Sequence, residues 1–277
     1  MMLEIAVGDA YGAGFEYVNK SIVKRFNDLS GYRKHQKYNI GNGRYTDDTQ
    51  MSIALAELLC ENKAWNLLNI ANKFVEVFKR DSREGYAGGF YKFLQEVNTG
   101  QEFLRKINPV SEKSGAAMRA SPIGFLPNTS DVIRYAEIQA GITHNTDIGI
   151  GSAIASALMS HYFIYDHGTK EELGDFMLDH KYSLSWEGEV IGRGDFVVRA
   201  AITAIKEGNS LSSILKKCIS FTGDTDTVAA IAMGAASNSK EIKKDLPKIL
   251  INKLENGKFG RDYLIGLDKK LERRFLK

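Results

Sequence analysis

Two short segments of the chain combine carboxylates and threonine hydroxyls in a pattern that could bind metal ions. They are Thr46-Asp47-Asp48-Thr49 and Gly223-Asp224-Thr225-Asp226-Thr227. Oxygen ligands of this kind prefer hard cations such as Mg²⁺, Mn²⁺ or Ca²⁺, and no cluster of Cys and His lies near either segment to favour Zn²⁺. Carboxylates two residues apart also repel each other unless a cation lies between them. The residue types therefore indicate a site for divalent cations.

Helix capping is the alternative explanation for both segments. Asp and Thr side chains at a helix start accept hydrogen bonds from first-turn N–H groups, and the helix dipole favours negative charge there. Capping alone explains residues 46–49, whereas Asp224 and Asp226 together exceed what one cap requires. Spacing does not show that the two segments meet in space, so both explanations remain open on these residues alone.

The elements that position these side chains are predicted to be helices. Apolar residues recur with helical periodicity, and clean period-two alternation is hard to find. The predicted helices span residues 50–60, 66–78, 147–165, 196–205, 211–218, 227–236 and 246–254. The third is apolar almost all round and rich in small residues, which is typical of a buried central helix. The polar, glycine-punctuated segment 31–44 is predicted to be a long loop near the functional site.

Composition and charge restrict the class of protein. Of 277 residues, 43% are hydrophobic and 26% are charged, and the formal net charge is +3. These values are typical of a globular protein and provide no strong positive field for nucleic acid. Two cysteines are too few for a disulfide framework, no signal peptide is expected at the N-terminus, and no weakly polar stretch is long enough to cross a bilayer. We therefore expect a cytoplasmic protein without membrane or nucleic-acid partners.

Five motifs follow one another along nearly the whole chain. They are Ala6-Val7-Gly8-Asp9-Ala10-Tyr11-Gly12 with the following Glu16, Tyr45-Thr46-Asp47-Asp48-Thr49-Gln50-Met51, Ser114-Gly115-Ala116-Ala117-Met118-Arg119-Ala120-Ser121-Pro122-Ile123-Gly124, Thr143-His144, and Phe221-Thr222-Gly223-Asp224-Thr225-Asp226-Thr227-Val228-Ala229-Ala230. In residue type and order, this set resembles the ADP-ribosylglycohydrolase family. Each motif alone is weak to moderate, but five in order are specific.

The resemblance implies an all-α fold in which residues 1–277 form a single compact orthogonal helical domain around a two-metal cleft. It also implies two divalent cations, Mg²⁺ or Mn²⁺, as cofactors. The metal ligands implied in this sequence are Thr46, Asp47, Asp48, Asp224, Asp226 and Thr227. Catalytic roles are implied for Glu16, Asp47 and Asp226, with Glu16 acting as metal ligand or general base. Gly12 and Gly14 would allow the loop that carries Glu16 to open and close.

The resemblance further implies contacts with the ADP-ribose group. The residues that would contact the diphosphate or the distal ribose are Ser114, Gly115, Ala116 and His144. The family pattern has Asn between Ser and Gly, whereas here Lys113 precedes Ser114 directly and adds a cation near the phosphates. Arg119 is either a phosphate contact or a structural residue. Asp81 and Tyr86, in the aromatic and glycine-rich segment 80–90, are candidates for an adenine or ribose pocket.

The activity implied is metal-dependent cleavage of the glycosidic bond between ADP-ribose and a modified acceptor, most readily an arginine or serine side chain. Such cleavage passes through an oxocarbenium-like state that nearby negative charge stabilises. The implied partner is an ADP-ribosylated protein or a small ADP-ribosyl conjugate, and we expect a monomer. Two alternatives remain. One is hydrolysis of O-acetyl-ADP-ribose or ADP-ribosylated nucleic acid, and the other is a non-catalytic relative with a binding or structural role.

Overall fold

The protein is described by a computed structural model that covers residues 1–180 and 185–276. Within these residues the regular structure is helical, and four isolated bridges are the only β-type pairings. The α-helices are α1 (Met2–Ala13), α2 (Lys20–Phe26), α3 (Asp47–Cys60), α4 (Leu67–Arg80), α5 (Gly88–Glu96), α6 (Gly100–Lys106), α7 (Gly115–Met118), α8 (Thr129–Gly141), α9 (Asp147–Ile164), α10 (Leu173–Asp179), α11 (Gly194–Glu207), α12 (Leu211–Ser220), α13 (Thr225–Ala236), α14 (Lys248–Lys253) and α15 (Arg261–Phe275). A 3₁₀ helix spans Ser121–Phe125. The predicted all-α fold is confirmed.

All seven helices predicted from periodicity are present, with small shifts at their ends. The last of them, α14, starts only after Pro247, because proline is tolerated at a helix start but not within it. The loop predicted at residues 31–44 contains no helix or strand. Periodicity did not predict the other eight α-helices of the described residues. One of them, α15, is strongly polar and buries only Leu264, Leu267 and Leu271.

Four helices form the buried centre of the described structure. Every residue of α13 is buried, as are most residues of α1, α3 and α9. Small residues allow α1 and α13 to pack backbone against backbone. A Cβ atom added at Gly8 would lie 2.7 Å from the carbonyl oxygen of Ala229, and one added at Gly12 would lie 2.7 Å from the backbone nitrogen of Asp226. This close approach brings the acidic start of α13 next to α1.

Gly12 and Gly14 do not provide the loop freedom expected of them. Gly12 lies within α1, and Gly14 ends that helix with φ −69° and ψ −9°. Neither residue adopts a backbone conformation that requires glycine. Gly12 is needed instead for the space between α1 and α13, so the expectation of a glycine hinge was wrong.

Gly12→Ala is expected to lower the melting temperature of the protein. The added methyl group would overlap the backbone of Asp226 and force the two helices apart, and such overpacking costs about 1–3 kcal/mol. Gly266→Ala in α15 is the matched control, because nothing lies within 4 Å of its added Cβ. Alanine favours a helix over glycine by about 1 kcal/mol, so the control should melt at the same temperature or higher. Equal melting temperatures for Gly12→Ala and the parent protein would contradict the packing account.

No helix in residues 1–180 or 185–276 is long and apolar enough to cross a membrane. Cys218 is buried and Cys60 is partly buried, and both thiols are free. The single domain, the monomeric state and the cytoplasmic location stay predictions.

Candidate metal centre and substrate cleft

Carboxylates from three helices and two loops gather at one point. Asp9 of α1, Asp48 of α3 and Asp226 of α13 offer three oxygen atoms that lie within 4.8 Å of one another. A second group, within the same distance, combines Glu16 from the loop after α1 with Asp224 and Asp226. Asp226 belongs to both groups, and every member except Glu16 is buried. The two acidic helix starts found in the sequence therefore meet in space.

At the start of α3, the capping is carried out by groups other than the two aspartates of its first turn. Thr46 is the N-cap, and its hydroxyl accepts a hydrogen bond from the backbone N–H of Asp48. The carboxylate of Asp9 accepts hydrogen bonds from the backbone N–H and hydroxyl groups of both Thr46 and Thr49, at 2.6–3.1 Å. Asp9 thus anchors the start of α3 from a different helix, which leaves the carboxylate of Asp48 for another role.

At the start of α13, one of the two aspartates bonds to the first turn, because the carboxylate of Asp226 accepts a hydrogen bond from the backbone N–H of Thr227 at 3.0 Å. Asp224 is the N-cap residue but makes no side-chain capping hydrogen bond. Its carboxylate instead accepts a hydrogen bond from the hydroxyl of Ser114 at 3.1 Å. The hydroxyl of Thr227 lies 3.3 Å from each carboxylate oxygen of Asp48, so it links the two helix starts. Capping therefore does not account for the carboxylate of Asp224.

Burial makes the acidic cluster unfavourable without positive charge. Loss of hydration is the larger cause, and repulsion from neighbouring carboxylates the smaller one, of the rise in the pKa values of Asp47, Asp48 and Asp226 well above the usual range of aspartate. Burial also raises the pKa of Asp224, and it raises that of Asp9 to about 6. Among the described residues, none of these five aspartates forms an ion pair with Lys or Arg. The oxygen-only donor set fits a hard divalent cation, which would supply the missing charge.

The cluster lies in a cleft of about 1190 Å³. The predicted site residues that line it are Glu16, Asp47, Asp48, Ser114, Gly115, His144, Asp224, Asp226 and Thr227. The basic residues that line it are Lys37, Lys106, Lys113, Arg119 and Arg193. The rings of Phe90 and Phe93 stack with centroids 5.8 Å apart and form part of the same wall. The cleft is therefore lined by carboxylates, by positively charged side chains and by aromatic rings.

Asp81 and Tyr86, predicted to line an adenine or ribose pocket, do not line the cleft. Asp81 ends α4 and forms an ion pair with Arg83 at 2.7 Å. Tyr86 is buried, and its hydroxyl donates to the side-chain oxygen of Gln50 at 2.7 Å. Their role in a pocket for adenine or ribose stays a prediction. Residues 87–90 of the same segment face the cleft instead.

Thr46 and Ala116 also lie behind the cleft wall. The hydroxyl of Thr46 donates to Asp9 at 2.9 Å, so this residue supports the cluster from behind. Ala116 is fully buried, and its carbonyl oxygen accepts a hydrogen bond from Gln139 at 3.0 Å. Their roles as metal ligand and substrate contact stay predictions.

The segment 190–194, which the sequence analysis did not single out, holds the start of α13 in place. It forms isolated bridges with Lys113 on one side and Gly223 on the other. Gly223 has φ 84°, and a Cβ atom there would overlap the carbonyl group of Val190, so glycine is required. That carbonyl also accepts a hydrogen bond from the backbone N–H of Asp224 at 2.8 Å. The position of Asp224 is thus set by backbone contacts on both sides.

His144 lies at the end of a buried hydrogen-bond chain. Arg119 is 1% exposed and donates to the hydroxyl of Thr143 at 2.9 Å, and this hydroxyl lies 2.6 Å from Nδ1 of His144. Nε2, the other nitrogen of the ring, lies on the side of Gly115. Burial, and then the charge of Arg119, lowers the pKa of His144 to about 3. The ring is therefore neutral where it lines the cleft.

Two residues of the cluster region were not predicted as site residues. Asp9 is part of the first motif, but a single acid within an apolar helix gives no pattern of ligands. The sequence could have indicated its role through its charge, because burying an unpaired carboxylate in a helix is energetically unfavourable. His35 lies in the loop at residues 31–44, where no periodicity locates individual side chains. Its Nε2 lies 2.6 Å from a carboxylate oxygen of Glu16.

The helical architecture and the acidic cluster together define a helical protein with a candidate metal centre at the base of a ligand cleft. A sequence model of the ADP-ribosylglycohydrolase family matches residues 1–276. The chain therefore belongs to this family of hydrolases.

Individual relatives agree with this assignment. ADP-ribosylhydrolase ARH3 of Xenopus tropicalis is 30% identical over 191 residues, which are 65% of this chain and 53% of the relative. ADP-ribosyl-[dinitrogen reductase] glycohydrolase of Rhodospirillum rubrum is 26% identical, covering 91% of this chain and 88% of the relative. ADP-ribosylarginine hydrolase Tri1 of Pseudomonas putida is 21% identical, covering 83% and 67%. The chain thus spans about half the length of the frog protein and most of the R. rubrum protein.

A solved structure described as an ADP-ribosylglycohydrolase-related protein complex shares the fold. It superposes with a TM-score of 0.76 over 98% of this chain and 95% of that chain. The sequence identity is 21%, so the likeness concerns the arrangement of helices.

Proposed function

We propose that this chain is a metal-dependent hydrolase that releases ADP-ribose from a modified acceptor by cleaving the glycosidic bond at the anomeric carbon of ribose. The observation that carries the proposal is that Asp226 belongs to two groups of carboxylates in one cleft. Two divalent cations, Mg²⁺ or Mn²⁺, would share this residue. The family and the names of its members support ADP-ribose as the group released.

The two groups of carboxylates provide the proposed ligands of the two cations. The proposed ligands are Asp9, Asp48 and Asp226 for one cation and Glu16, Asp224 and Asp226 for the other. Thr46, Asp47 and Thr227 adjoin the first group and are proposed to complete it. When bound, the pair of cations supplies positive charge that orients the ribose hydroxyls and lowers the pKa of a nearby water.

Side chains of the cleft bind the ADP part of the substrate. His144 is proposed to donate from Nε2 to a phosphate oxygen, and Lys113 adds positive charge to the same cleft. Ser114 and Gly115 line the wall beside His144. The aromatic wall that contains Phe90 offers a flat apolar surface to the adenine ring. These contacts fix the ribose over the carboxylates.

The carboxylates then assist the reaction. Their negative charge stabilises the oxocarbenium-like state as the bond between the anomeric carbon and the acceptor breaks. Glu16, at the edge of the cluster, takes the proton of the water that attacks this carbon. The acceptor leaves with the electron pair of the broken bond and takes up a proton. The products are free ADP-ribose and the unmodified acceptor.

A protein side chain is the proposed acceptor. The name of the R. rubrum relative specifies dinitrogen reductase, and that of the P. putida relative specifies ADP-ribosylarginine. Arginine is therefore the first acceptor to test, followed by serine.

Release of ADP-ribose from four defined substrates tests the proposal. The substrates carry ADP-ribose on arginine, on serine, on nucleic acid or as the O-acetyl ester, and each is incubated with Mg²⁺, with Mn²⁺ and with EDTA. Release from the arginine or serine substrate that EDTA abolishes is the expected result. Release from only the nucleic-acid substrate or the ester would show that the acceptor is not a protein side chain. No release from any of them by protein that binds cations would contradict the catalytic role.

A further inference from the structure

The contact between Glu16 and His35 is the feature of the cleft that the proposed reaction does not use. Nε2 of His35 lies 2.6 Å from Oε2 of Glu16, and the two side chains are 3% and 17% exposed. Within the described part of the chain, no other hydrogen bond reaches the carboxylate of Glu16. The orientation of the proposed general base therefore depends on one imidazole ring.

The loop around His35 fixes which ring nitrogen carries the proton. The backbone N–H groups of Lys37 and Tyr38 donate to Nδ1 at 2.9 and 3.0 Å. A nitrogen that accepts hydrogen bonds holds no proton, so the proton lies on Nε2 and is donated to Glu16. The ring also packs against Tyr38, with centroids 4.9 Å apart. The loop thus presents an oriented donor, not a solvated side chain.

The backbone of Glu16 is held from the opposite side. Tyr17, the next residue, has φ 51°, a conformation that is uncommon for a residue other than glycine. Its backbone N–H donates to the carbonyl oxygen of Gly223 at 2.9 Å, next to Asp224. Such a conformation persists where the surroundings hold it in place. Glu16 is therefore fixed between the start of α13 and the loop at residues 31–44.

We propose that His35 is a positioning residue for Glu16. Its hydrogen bond holds Oε2, which leaves Oε1 to accept the proton of the attacking water. This inference rests on the proposed function, because it assigns His35 to the reaction through Glu16 and without a substrate contact of its own. Without His35 the carboxylate can rotate away, so turnover falls while binding of the ADP group is retained.

Two substitutions of His35 test the proposal. His35→Ala removes the donor, whereas the side-chain amide of His35→Gln can still donate to Glu16. We expect His35→Ala to lower kcat by about 10–100-fold with KM changed little, and His35→Gln to recover part of the loss. His167→Ala, at an exposed histidine outside the cleft, is the matched control and should have the kcat and KM of the parent protein. Thermal unfolding of each variant shows whether the fold is retained.

A spectroscopic readout separates this inference from the proposed function. In the ¹H–¹⁵N spectrum of the parent protein, the His35 ring should show a protonated Nε2 and an unprotonated Nδ1. Glu16→Ala should shift the Nε2 signal and leave Nδ1 unchanged. These signals can be measured even if no substrate releases ADP-ribose. In that case the proposed function would fail, while the contact between His35 and Glu16 would still be tested. A protonated Nδ1, or folded His35→Ala protein with the kcat of the parent, would overturn the role of His35.

Discussion

Asp226→Asn is expected to reduce ADP-ribose release at least about 10³-fold, because it alters the one carboxylate that belongs to both groups of candidate ligands. The neutral amide keeps the shape of the side chain but binds a divalent cation poorly. The fold should be retained, since α13 is buried along its whole length and the substitution adds no heavy atom. Without cations the variant should be as stable as the parent or more so, because one of several repelling buried charges is lost.

Asp175→Asn is the matched control for this substitution. Asp175 is exposed on α10 and does not line the cleft, so its loss should leave release unchanged. Far-UV circular dichroism and thermal unfolding establish that both variants fold. A folded Asp226→Asn protein with more than a tenth of the parent rate would contradict the assignment of Asp226.

Divalent cations are expected to raise the melting temperature, and by more at pH 7.5 than at pH 5. At a cation concentration 100 times Kd the stabilisation is about 2.7 kcal/mol. For a protein of this size that corresponds to about 5 °C. Asp226→Asn should lose most of this shift. Thermal unfolding in Mg²⁺, in Mn²⁺ and in EDTA at both pH values measures the effect.

The pH dependence follows from the raised pKa values of the acidic cluster. The folded, cation-free protein retains protons on carboxylates, such as Asp9 with its pKa of about 6, that the unfolded chain has already released. The stability that these protons contribute is present below the unfolded pKa, near 4, and is lost as the pH rises through the folded pKa. A cation replaces the protons, so its effect grows with pH. A shift that is larger at pH 5, or absent with both ions, would contradict a buried carboxylate site.

The sequence was most informative where chemistry and helix signals coincide. The starts of α3 and α13 were found because carboxylates and hydroxyls precede apolar periodic segments, and both helices are present. Asp9 could not be assigned in this way, because its partners are Thr46 and Thr49, about 40 positions along the chain. Only the packing of α1 against the start of α3 reveals that contact.

The substrate residues show a second limit of sequence reasoning. The segment 80–90 was expected to contribute to the ligand pocket, and the residues of it that line the cleft include Phe90 and its neighbours but not Asp81 or Tyr86. Residue types alone do not show which side of a short connection faces the cleft, because packing against α3 and α4 decides it. For His35 the limit is similar, since its partner Glu16 lies in a separate loop.

Crystals grown with Mn²⁺ and ADP-ribose would test the central claim most directly, through anomalous scattering from the manganese ions. The account predicts two peaks, one among Asp9, Asp48 and Asp226 and one among Glu16, Asp224 and Asp226, with the ribose beside them. A single peak would reduce the proposed centre to one cation. Manganese bound elsewhere, with the acidic cluster empty and ADP-ribose in the cleft, would contradict the account.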